Sequence, residues 1–326
     1  MSILKGRKVN KKIQIYDPVT FRSSVDLVDT NMIGDTYYVR NNGSDTNDGK
    51  TPDHAFKTLQ RAVAVAGDWD IIRFLPATDS SPYLVEDVQG TDDSNIPIMI
   101  TQTGLKILGP LNMTQWGSPA IHTHTAAVSI LCIDANQVEI GGIAFHIQAA
   151  SGGIEIGTST NPWRTYIHDC YFGGNGSALF GIVAGNYTGS GIGGYHRGYA
   201  DTTDAPCTLI ERCSFHHMAG PGVYWNAGYG SILRDSVFAV SASTEGIRYD
   251  NNGTSRPFSY ILDNDFTAAS SSTSTGITVT NTPTAGYFFV SGNQFVNFGS
   301  DDLCCTKRTG YFGLNYLGVT AVTITT

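Results

Sequence analysis

Two glycines, Gly222 and Gly246, are each followed by polar or aromatic side chains at the same two positions. Tyr224 and Asn226 come two and four residues after a glycine, and Arg248 and Asp250 take the same positions after the next such glycine. Because alternate residues of a strand share one face, we expect these side chains to point into solvent together. Aromatic rings stack on pyranose faces and charged groups bond hydroxyls. The pattern predicts a saccharide-binding face; ordinary solvated residues with an Arg–Asp pair are the alternative.

Three acidic residues on or beside these strands are the candidate catalytic groups. They are Asp250, Glu245, which directly precedes the glycine of the same strand, and Glu155, which follows an earlier glycine. A glycosidase needs two carboxylates about 5 to 9.5 Å apart, a distance that adjacent coils of one face would provide. A lyase would need a Ca²⁺ cage or a basic residue beside acids, and no acidic cluster on one strand would make such a cage.

Other titratable residues are interpreted differently. Asp169, Asp235 and Asp263 fall in a turn position, where an Asp side chain normally bonds its own backbone. His122 and His124 share a strand face but have no third ligand near them in the sequence, and a metal site needs three or four. The sequence therefore predicts neither a metal site nor a cofactor.

A Tyr, Ser, Gly and Asn-rich insertion interrupts the repeat at about residues 185–206. Such residues are typical of adaptable recognition loops, so Tyr195 and Tyr199 are added to the predicted glycan-binding set. The segment Gly189–Gly194 superficially resembles a phosphate-binding loop, but no Lys-Ser/Thr and no strand-turn-helix context follows it. We expect the insertion to contact saccharide.

The elements that must position these residues are visible as a repeat. Phenylalanines recur every 23 to 29 residues, with one longer step of 43 between Phe172 and Phe215. A glycine series is stretched at the same place, which indicates that one turn carries an insertion. A fixed period of this size predicts a repeat architecture. The two series are Phe145, Phe172, Phe215, Phe238, Phe266 and Phe295, and Gly153, Gly181, Gly222, Gly246 and Gly276.

Two further columns precede each Phe. Five residues before it the residue is always aliphatic, as an inward-facing stack requires. Two residues before it, Asn264 and Asn293 predict an internal ladder of amide hydrogen bonds. Cys170 and Cys213 share that column, where their backbones could lie within disulfide reach. The six cysteines have no metal-like spacing and are interpreted as buried free thiols.

Composition favours an all-β solenoid. Of 326 residues, 41% are hydrophobic, only 15% are charged, and 37 are Gly, which indicates many turns and few long helices. A net charge of −8 without a basic cluster beyond the first dozen residues argues against nucleic-acid binding. The N-terminus lacks the apolar region of a signal peptide, and no stretch is long enough to span a membrane.

The segment before the repeat has its own signals. Thr36–Arg40 is predicted to form a strand, and Thr51 and Pro52 are typical of a helix start. The predicted helix runs over residues 55–66 with Phe56, Leu59 and Val63 on one face, and could cover the open end of a solenoid.

These features resemble the right-handed parallel β-helix proteins of the pectate-lyase-like class, and among them bacteriophage tailspikes and related appendages. The residues that carry the resemblance are Tyr38-Val39, Asn42–Asp45, Asp48-Gly49, the helix through Thr58 and Ala62, Gly67–Phe74, Pro97–Ile100, Leu105–Gly109 and Val138–Phe145. The resemblance covers about residues 37–300 and implies homotrimers. At roughly 25 residues per coil, that length predicts a shaft of about ten coils. The resemblance is far less specific for function, because this architecture hosts lyases, hydrolases, adhesins and structural proteins.

We therefore expect a virion appendage that binds host surface glycan, synthesised without export. Residues 1–36 would be an arm that attaches to other virion proteins, 37–70 a strand and capping helix, 71–300 the solenoid, and 301–326 a C-terminal cap or oligomerisation segment. Two alternatives stay open. One is a polysaccharide depolymerase, hydrolase or lyase, on the same scaffold; the other is a structural virion protein without a ligand.

Overall fold

The computed structural model describes residues 34–76, 84–87, 97–110, 120–123, 129–147, 151–157, 162–176, 178–184, 207–226, 230–250, 258–270, 273–279, 287–306, 311–317 and 320–322. Within these ranges the chain is mostly β-strand, with very little helix. The strands form three sheets, and the chain visits sheets A, B and C in turn. No helix in the described ranges is both long and apolar enough to cross a membrane.

Sheet A consists of β1 (Thr36–Val39), β2 (Ile71–Phe74), β5 (Lys106–Leu108), β8 (Glu139–Gly141), β11 (Tyr166–His168), β14 (Leu209–Glu211), β17 (Ser231–Arg234), β20 (Phe258–Leu262), β23 (Tyr287–Ser291) and β25 (Tyr311–Phe312).

Sheet B consists of β3 (Leu84–Asp87), β6 (Ala120–Thr123), β9 (Ala144–Ile147), β12 (Tyr171–Gly174), β15 (Ser214–His216), β18 (Val237–Val240), β21 (Asp265–Ala268), β24 (Gln294–Val296), β26 (Asn315–Leu317) and β27 (Thr320–Val322).

Sheet C consists of β4 (Ile98–Ile100), β7 (Leu131–Ile133), β10 (Gly152–Ile156), β13 (Phe180–Ala184), β16 (Val223–Asn226), β19 (Glu245–Asp250) and β22 (Thr275–Val279). Each strand pairs in parallel with the strand of the coil before it and the coil after it; the antiparallel pair is β26 with β27. This arrangement of three parallel sheets is that of a parallel β-helix-like solenoid, as the repeat predicts.

The core lies between the three sheets and is built from the predicted columns. The aliphatic column of sheet A is wholly buried and pairs in register from coil to coil. The Phe column forms a continuous stack with ring centroids 4.7 to 4.9 Å apart and interplanar angles of 6° to 11°. The aliphatic members are Ile140, Ile167, Ile210, Leu233, Ile261 and Val290, each 0% exposed.

The repeating glycine is explained by this Phe stack. A Cβ atom at Gly181 would lie 2.7 Å from Cδ1 of Phe215 and 2.7 Å from the carbonyl oxygen of Gly222. Both distances are shorter than side-chain packing tolerates. The other four glycines of the series face Phe172, Phe238, Phe266 and Phe295 in the same way, so these five Phe rings each require a glycine at the corner between sheets B and C. The glycine and Phe series therefore keep the same spacing because they contact one another.

The turn between sheets A and B holds two further predicted features. Asp169, Asp235 and Asp263 adopt positive φ angles of 51° to 54°, a conformation that Asp tolerates better than most residues. The amide of Asn264 donates to Asn293 Oδ1 over 2.9 Å, and the amide of Asn293 donates to Asn315 Oδ1 over 3.0 Å. The turn position of the three Asp residues and the Asn ladder are confirmed, and the ladder is one residue longer than predicted.

The cysteines are free thiols throughout. Cys132, Cys170, Cys213, Cys304 and Cys305 are buried, and Cys207 is partly buried. The interpretation as buried free thiols is confirmed for these five, of which Cys170, Cys213, Cys304 and Cys305 belong to the main core.

The helix near the N-terminal end is shorter than predicted. A single 3₁₀ turn covers Pro52–His54, and α1 covers Leu59–Val65 with Thr58 as its N-cap. Between them Phe56 is extended, because its N–H donates to the carbonyl of Tyr38 and its carbonyl accepts from the N–H of Arg40. This pairing with the chain next to β1 outweighs helix propensity. The side of α1 that includes Leu59, Ala62 and Val63 is buried.

At the other end of the chain, parallel pairing continues past residue 300. β25 pairs with β23, and β26 pairs with β24. A short helix, α2 (Asp301–Cys304), contacts β22 where sheet C would otherwise gain a strand. The predicted arm, residues 1–36, lies outside the described ranges except for its last three residues, and the insertion at 185–206 lies wholly outside them.

Candidate functional site

The saccharide-binding face predicted from the sequence corresponds to the outer side of sheet C. Tyr224 pairs in register with Arg248, and Asn226 pairs with Asp250. Val223, the neighbour of Tyr224 in β16, is part of the main core, whereas Tyr224 belongs to a separate cluster. The alternation that the prediction used is therefore present. The column of outer residues runs through Met99, Cys132, Glu155, Val183, Tyr224, Arg248 and Thr278.

The expectation that this whole column is exposed is wrong. Tyr224 is 1% exposed and packs with Phe180 and Val183, and Glu155 is 4% exposed. The carboxylate of Glu155 accepts hydrogen bonds from the hydroxyl of Ser129 and the thiol of Cys132. Burial, together with the charge of Glu155, raises the pKa of Cys132 well above its usual value. In this structure a pyranose ring cannot reach the face of Tyr224.

The remaining predicted residues are distributed as follows. Arg248 is partly exposed and forms an ion pair with Glu245 at 3.7 Å. Asn226 and Asp250 end adjacent strands of sheet C, and Tyr195 and Tyr199 lie outside the described residues. The structure thus brings Glu245, Arg248 and the backbone of Asp250 onto one strand, and it leaves Glu155 two strands away from Tyr224.

Sheet A carries a second concentration of polar groups on its outer side, centred on Glu211. The hydroxyl of Tyr166 and the Nη1 atom of Arg212 both donate to Glu211 Oε1. Arg234 donates to Glu211 Oε2 from Nε over 2.8 Å, and its Nη2 lies 2.6 Å from the same oxygen. Glu211 is 3% exposed, so a buried carboxylate is held between two guanidinium groups and a phenol.

The network continues through Asp169. Arg212 binds this carboxylate in bidentate fashion, with Nε 2.8 Å from Oδ1 and Nη2 2.9 Å from Oδ2. His168 Nδ1 lies 2.7 Å from Asp169 Oδ2, and His168 Nε2 lies 3.3 Å from a carboxylate oxygen of Glu139. Lys106 completes the row with an ion pair to Glu139 at 2.7 Å. We call these residues the sheet A network: Lys106, Glu139, Tyr166, His168, Asp169, Glu211, Arg212 and Arg234.

Strand register and turn geometry explain why these residues meet. His168, Glu211 and Arg234 are register partners at the ends of β11, β14 and β17. Asp169 and Arg212 follow them in the turn, with φ angles of 52° and 49°. Because neighbouring strands lie about 4.8 Å apart, equivalent side chains of successive coils are within reach of one another. One repeat position thus supplies alternating acids and bases along the solenoid.

These contacts shift the pKa values of the acids. Hydrogen bonds from Arg212, followed by those from His168, lower the pKa of Asp169 despite partial burial. Burial raises the pKa of Glu211, but hydrogen bonds from Tyr166, Arg234 and Arg212 together outweigh it and leave the pKa lowered. For Glu139, burial is likewise outweighed by Lys106 and His168. All three acids are therefore ionised at neutral pH.

Tyr166 shows the opposite shift. Burial and its hydrogen bond to Glu211 raise the pKa of the phenol, although Arg212 opposes them. The phenol therefore keeps its proton at neutral pH, and its ring stacks on His168 with centroids 4.3 Å apart. The side chains of Arg212 and Arg234 are each 46% exposed. This face offers solvent a protonated phenol beside two accessible guanidinium groups.

Sequence reasoning missed most of this network. It identified Asp169 as a turn residue, which is correct, but did not place any of the other seven residues in a site. A signal was available: polar or ionisable residues flank the buried aliphatic column in successive repeats, as in Tyr166-Ile167-His168 and Ile210-Glu211-Arg212. In the described part of the chain, no group of three or more His, Cys, Asp or Glu side chains could hold a metal ion.

Comparison with known proteins gives structural similarity without sequence similarity. No protein-family model and no curated protein matches the chain. One solved structure similar to it is a rhamnogalacturonan lyase, with 13% sequence identity and a TM-score of 0.42 over 82% of this chain and 75% of the other. Another is an alginate lyase from Paenibacillus sp. str. FPU-7, with 14% identity and a TM-score of 0.39 over 80% of this chain and 95% of the other.

Proposed function

We propose that this protein is a polysaccharide depolymerase that binds its substrate on the outer face of sheet A and cleaves it by elimination. The observation that carries the proposal is the protonated phenol of Tyr166, hydrogen-bonded to Glu211 and next to the half-exposed guanidinium of Arg212. A proton donor beside fixed cations is the arrangement that favours departure of a sugar oxygen from an acidic sugar.

Elimination fits the network better than hydrolysis does. A glycosidase needs one carboxylic acid with a raised pKa to protonate the leaving oxygen. Glu139, Asp169 and Glu211 all have lowered pKa values, so none of them supplies that proton at neutral pH. Tyr166 remains protonated and can supply it.

The proposed reaction has four parts that balance. Arg212 and Arg234 bind the carboxylate of a uronate ring and stabilise the negative charge that develops there. His168 first gives its Nε2 proton to the carboxylate of Glu139, 3.3 Å away, and the neutral Nε2 atom then removes the proton from the carbon next to the substrate carboxylate. The electron pair forms a carbon–carbon double bond, the neighbouring carbon–oxygen bond breaks, and Tyr166 gives its proton to the departing oxygen.

The test is to incubate the protein with polygalacturonate, a mannuronate-guluronate polymer and neutral dextran. Elimination creates a double bond conjugated with a carboxylate, which absorbs ultraviolet light. Tyr166→Phe should lower the initial rate at least about 100-fold, since a positioned general acid contributes about 10² to 10⁴. Tyr260→Phe, in the outer column of the same sheet at β20, is the matched control and should keep the wild-type rate.

Other outcomes would overturn parts of the proposal. New reducing ends without the ultraviolet signal would show hydrolysis and exclude elimination. Binding of a polymer without cleavage would exclude depolymerase activity on that polymer and support a glycan-binding role. Absence of both across a wide saccharide panel would favour the structural alternative.

We also propose the finer features that the sequence predicts. They are a right-handed solenoid of about ten coils closed by α1, a homotrimeric virion appendage that recognises host surface glycan, and attachment through residues 1–36. Sedimentation would show the oligomer, and immunogold microscopy of virions would show the location. Asn226, Arg248, Tyr195 and Tyr199 remain the second candidate binding set, with Asp250 and Glu245 as its acids.

A further inference from the structure

Trp163 is exposed at the corner between sheets C and A. The residue is 51% exposed, whereas Trp225 is 0% exposed in the core. Leaving an indole in water forgoes one of the largest burial gains that any side chain offers. Such a residue is informative when its backbone is rigid, because then the exposure does not result from a loose segment.

The backbone of Trp163 is held on both sides by the preceding coil. Its N–H donates to the side-chain Oδ1 of Asn136 over 2.8 Å, and its carbonyl accepts from the N–H of Gln137 over 2.7 Å. The chain then passes through Arg164, with φ of 62°, to Thr165, which is 0% exposed. The indole is therefore mounted on an ordered corner of the solenoid.

This corner lies close to the sheet A network. Tyr166 comes three residues after Trp163, and at about 3.3 Å per extended residue the backbone between them spans at most about 10 Å. Arg164, between them, is also exposed. An aromatic face, a guanidinium group and the phenol of Tyr166 thus follow one another along a short stretch of surface.

The geometry points to Trp163 as a stacking platform for a pyranose ring, next to the ring that is cleaved on sheet A, with Arg164 bonding its hydroxyl or carboxylate groups. This inference rests on the proposed function and adds a binding subsite to it. Aromatic rings bind the apolar face of a sugar through dispersion and burial. A guanidinium group adds directional hydrogen bonds.

The test separates binding from cleavage by using Tyr166→Phe as the background in which the polymer stays intact. Calorimetric titration of oligosaccharides prepared by acid hydrolysis of polygalacturonate, the mannuronate-guluronate polymer and dextran should show that Trp163→Ala weakens binding about 10-fold. Trp163→Phe, which keeps part of the aromatic area, should lose less affinity than Trp163→Ala. Leu314→Ala, a substitution at a residue that is 56% exposed, is the control and should bind as the background does. Circular dichroism confirms that the variants are folded.

The possible results distinguish this inference from the function on which it depends. If Trp163→Ala binds as tightly as the Leu314→Ala control while the wild-type protein still cleaves, the subsite is wrong and the depolymerase proposal stands. If binding weakens but no polymer is cleaved by the wild type, the subsite stands and the elimination proposal fails. If no saccharide in the panel binds at all, both are overturned.

Discussion

The outer faces of sheets A and C are built from the same alternation, yet they are chemically opposite. On sheet A, Glu211 is buried between two arginines whose side chains are 46% exposed. On sheet C, the equivalent central positions are Val183 and Tyr224, each 1% exposed and packed together. One outer face thus presents charged groups to solvent, and the middle of the other is closed.

The difference shows that pointing away from the core is not the same as being accessible. Strand alternation determines the side of the sheet on which a residue lies. Whether a residue on that side is accessible depends on how the outer side chains pack, and Phe180, Val183 and Tyr224 pack together on the outer face of sheet C. Substitutions on the two faces should therefore differ in cost, with the largest loss of stability at the most buried side chain.

The largest effect is expected at Tyr224. Replacing this buried ring with alanine should destabilise the protein by about 3 to 5 kcal/mol, because a cavity forms and packing with Val183 is lost. Urea unfolding followed by circular dichroism measures the change. Tyr316→Ala, at a residue that is 37% exposed, makes the same chemical change on the surface and should cost about 0.5 kcal/mol or less.

Equal small losses for Tyr224→Ala and Tyr316→Ala would contradict the contrast between the two faces. They would mean that Tyr224 is accessible in solution. The saccharide-binding role expected from the sequence would then regain its central aromatic ring.

The scaffold is predictable from the sequence because its contacts repeat. Each Phe stacks on the Phe of the next coil, and each corner glycine makes room for one of these rings. The two series therefore have to keep a common spacing, which is visible without a structure. Asn264 and Asn293 are predictable for the same reason, since an amide ladder needs the same residue type at the same position.

The site is less predictable because its contacts do not repeat. Asp169 forms an ion pair with Arg212, which occupies the same turn position one coil later. In the two coils after that, the position holds Asp235 and Asp263. A single sequence contains each of these pairs once, so no periodicity reveals them. The burial of Tyr224 is hidden for a related reason: it depends on the neighbours Val183 and Phe180 in another coil.

The second prediction concerns Glu211, the centre of the sheet A network. Glu211→Gln removes the charge that Arg212 and Arg234 share, and we expect a loss of about 1 to 3 kcal/mol, as for hydrogen bonds to charged groups. The pKa of Tyr166 should fall, because Glu211 raises it in the wild type. Ultraviolet titration of the phenolate measures this shift, with Tyr166→Phe identifying the signal.

Asp235→Asn is the matched control for Glu211→Gln. Asp235 is 3.7 Å from Arg234 and occupies a turn with φ of 51°, which Asn also tolerates. The free energy of unfolding of the Asp235→Asn variant should differ from that of the wild type by about 0.5 kcal/mol or less. If the control costs as much as Glu211→Gln, the network does not stabilise this face through Glu211.

The third prediction is a pH dependence. Arg212→Gln removes hydrogen bonds that lower the pKa values of Asp169 and Glu211. A carboxyl group whose pKa is lowered in the folded state stabilises the protein fully at pH values above its pKa in the unfolded state, which is about 4. This stabilisation is lost as the pH falls through the pKa of the folded state. The variant should therefore be less stable than the wild type by about 1 kcal/mol at pH 7, and the difference should disappear in acid.

Urea midpoints measured between neutral pH and pH 3 would test this sign. A difference between Arg212→Gln and the wild type that stays constant over that range would show that Arg212 acts through packing of its stem. The charges of the sheet A network would then contribute little, and its resemblance to an active site would weaken.

The smallest effect is expected at Arg248, which is partly exposed and lies next to Tyr224 in the sheet C column. Its ion pair with Glu245 is 3.7 Å long and half-exposed, so Arg248→Ala should change stability by about 0.5 kcal/mol or less. Saccharide binding should also remain unchanged, whereas Arg212→Ala on sheet A should weaken it about 10-fold or more, since charged hydrogen bonds are among the strongest.

This pair of variants compares the two faces directly, because each removes one half-exposed guanidinium from an outer column. Calorimetric titration with the same oligosaccharide measures both. If Arg248→Ala weakens binding and Arg212→Ala does not, the ligand lies on sheet C, as the sequence predicts. The buried middle of that sheet would then have to open on binding. Hydrogen exchange of the β13 and β16 amides would therefore become faster when the ligand is added.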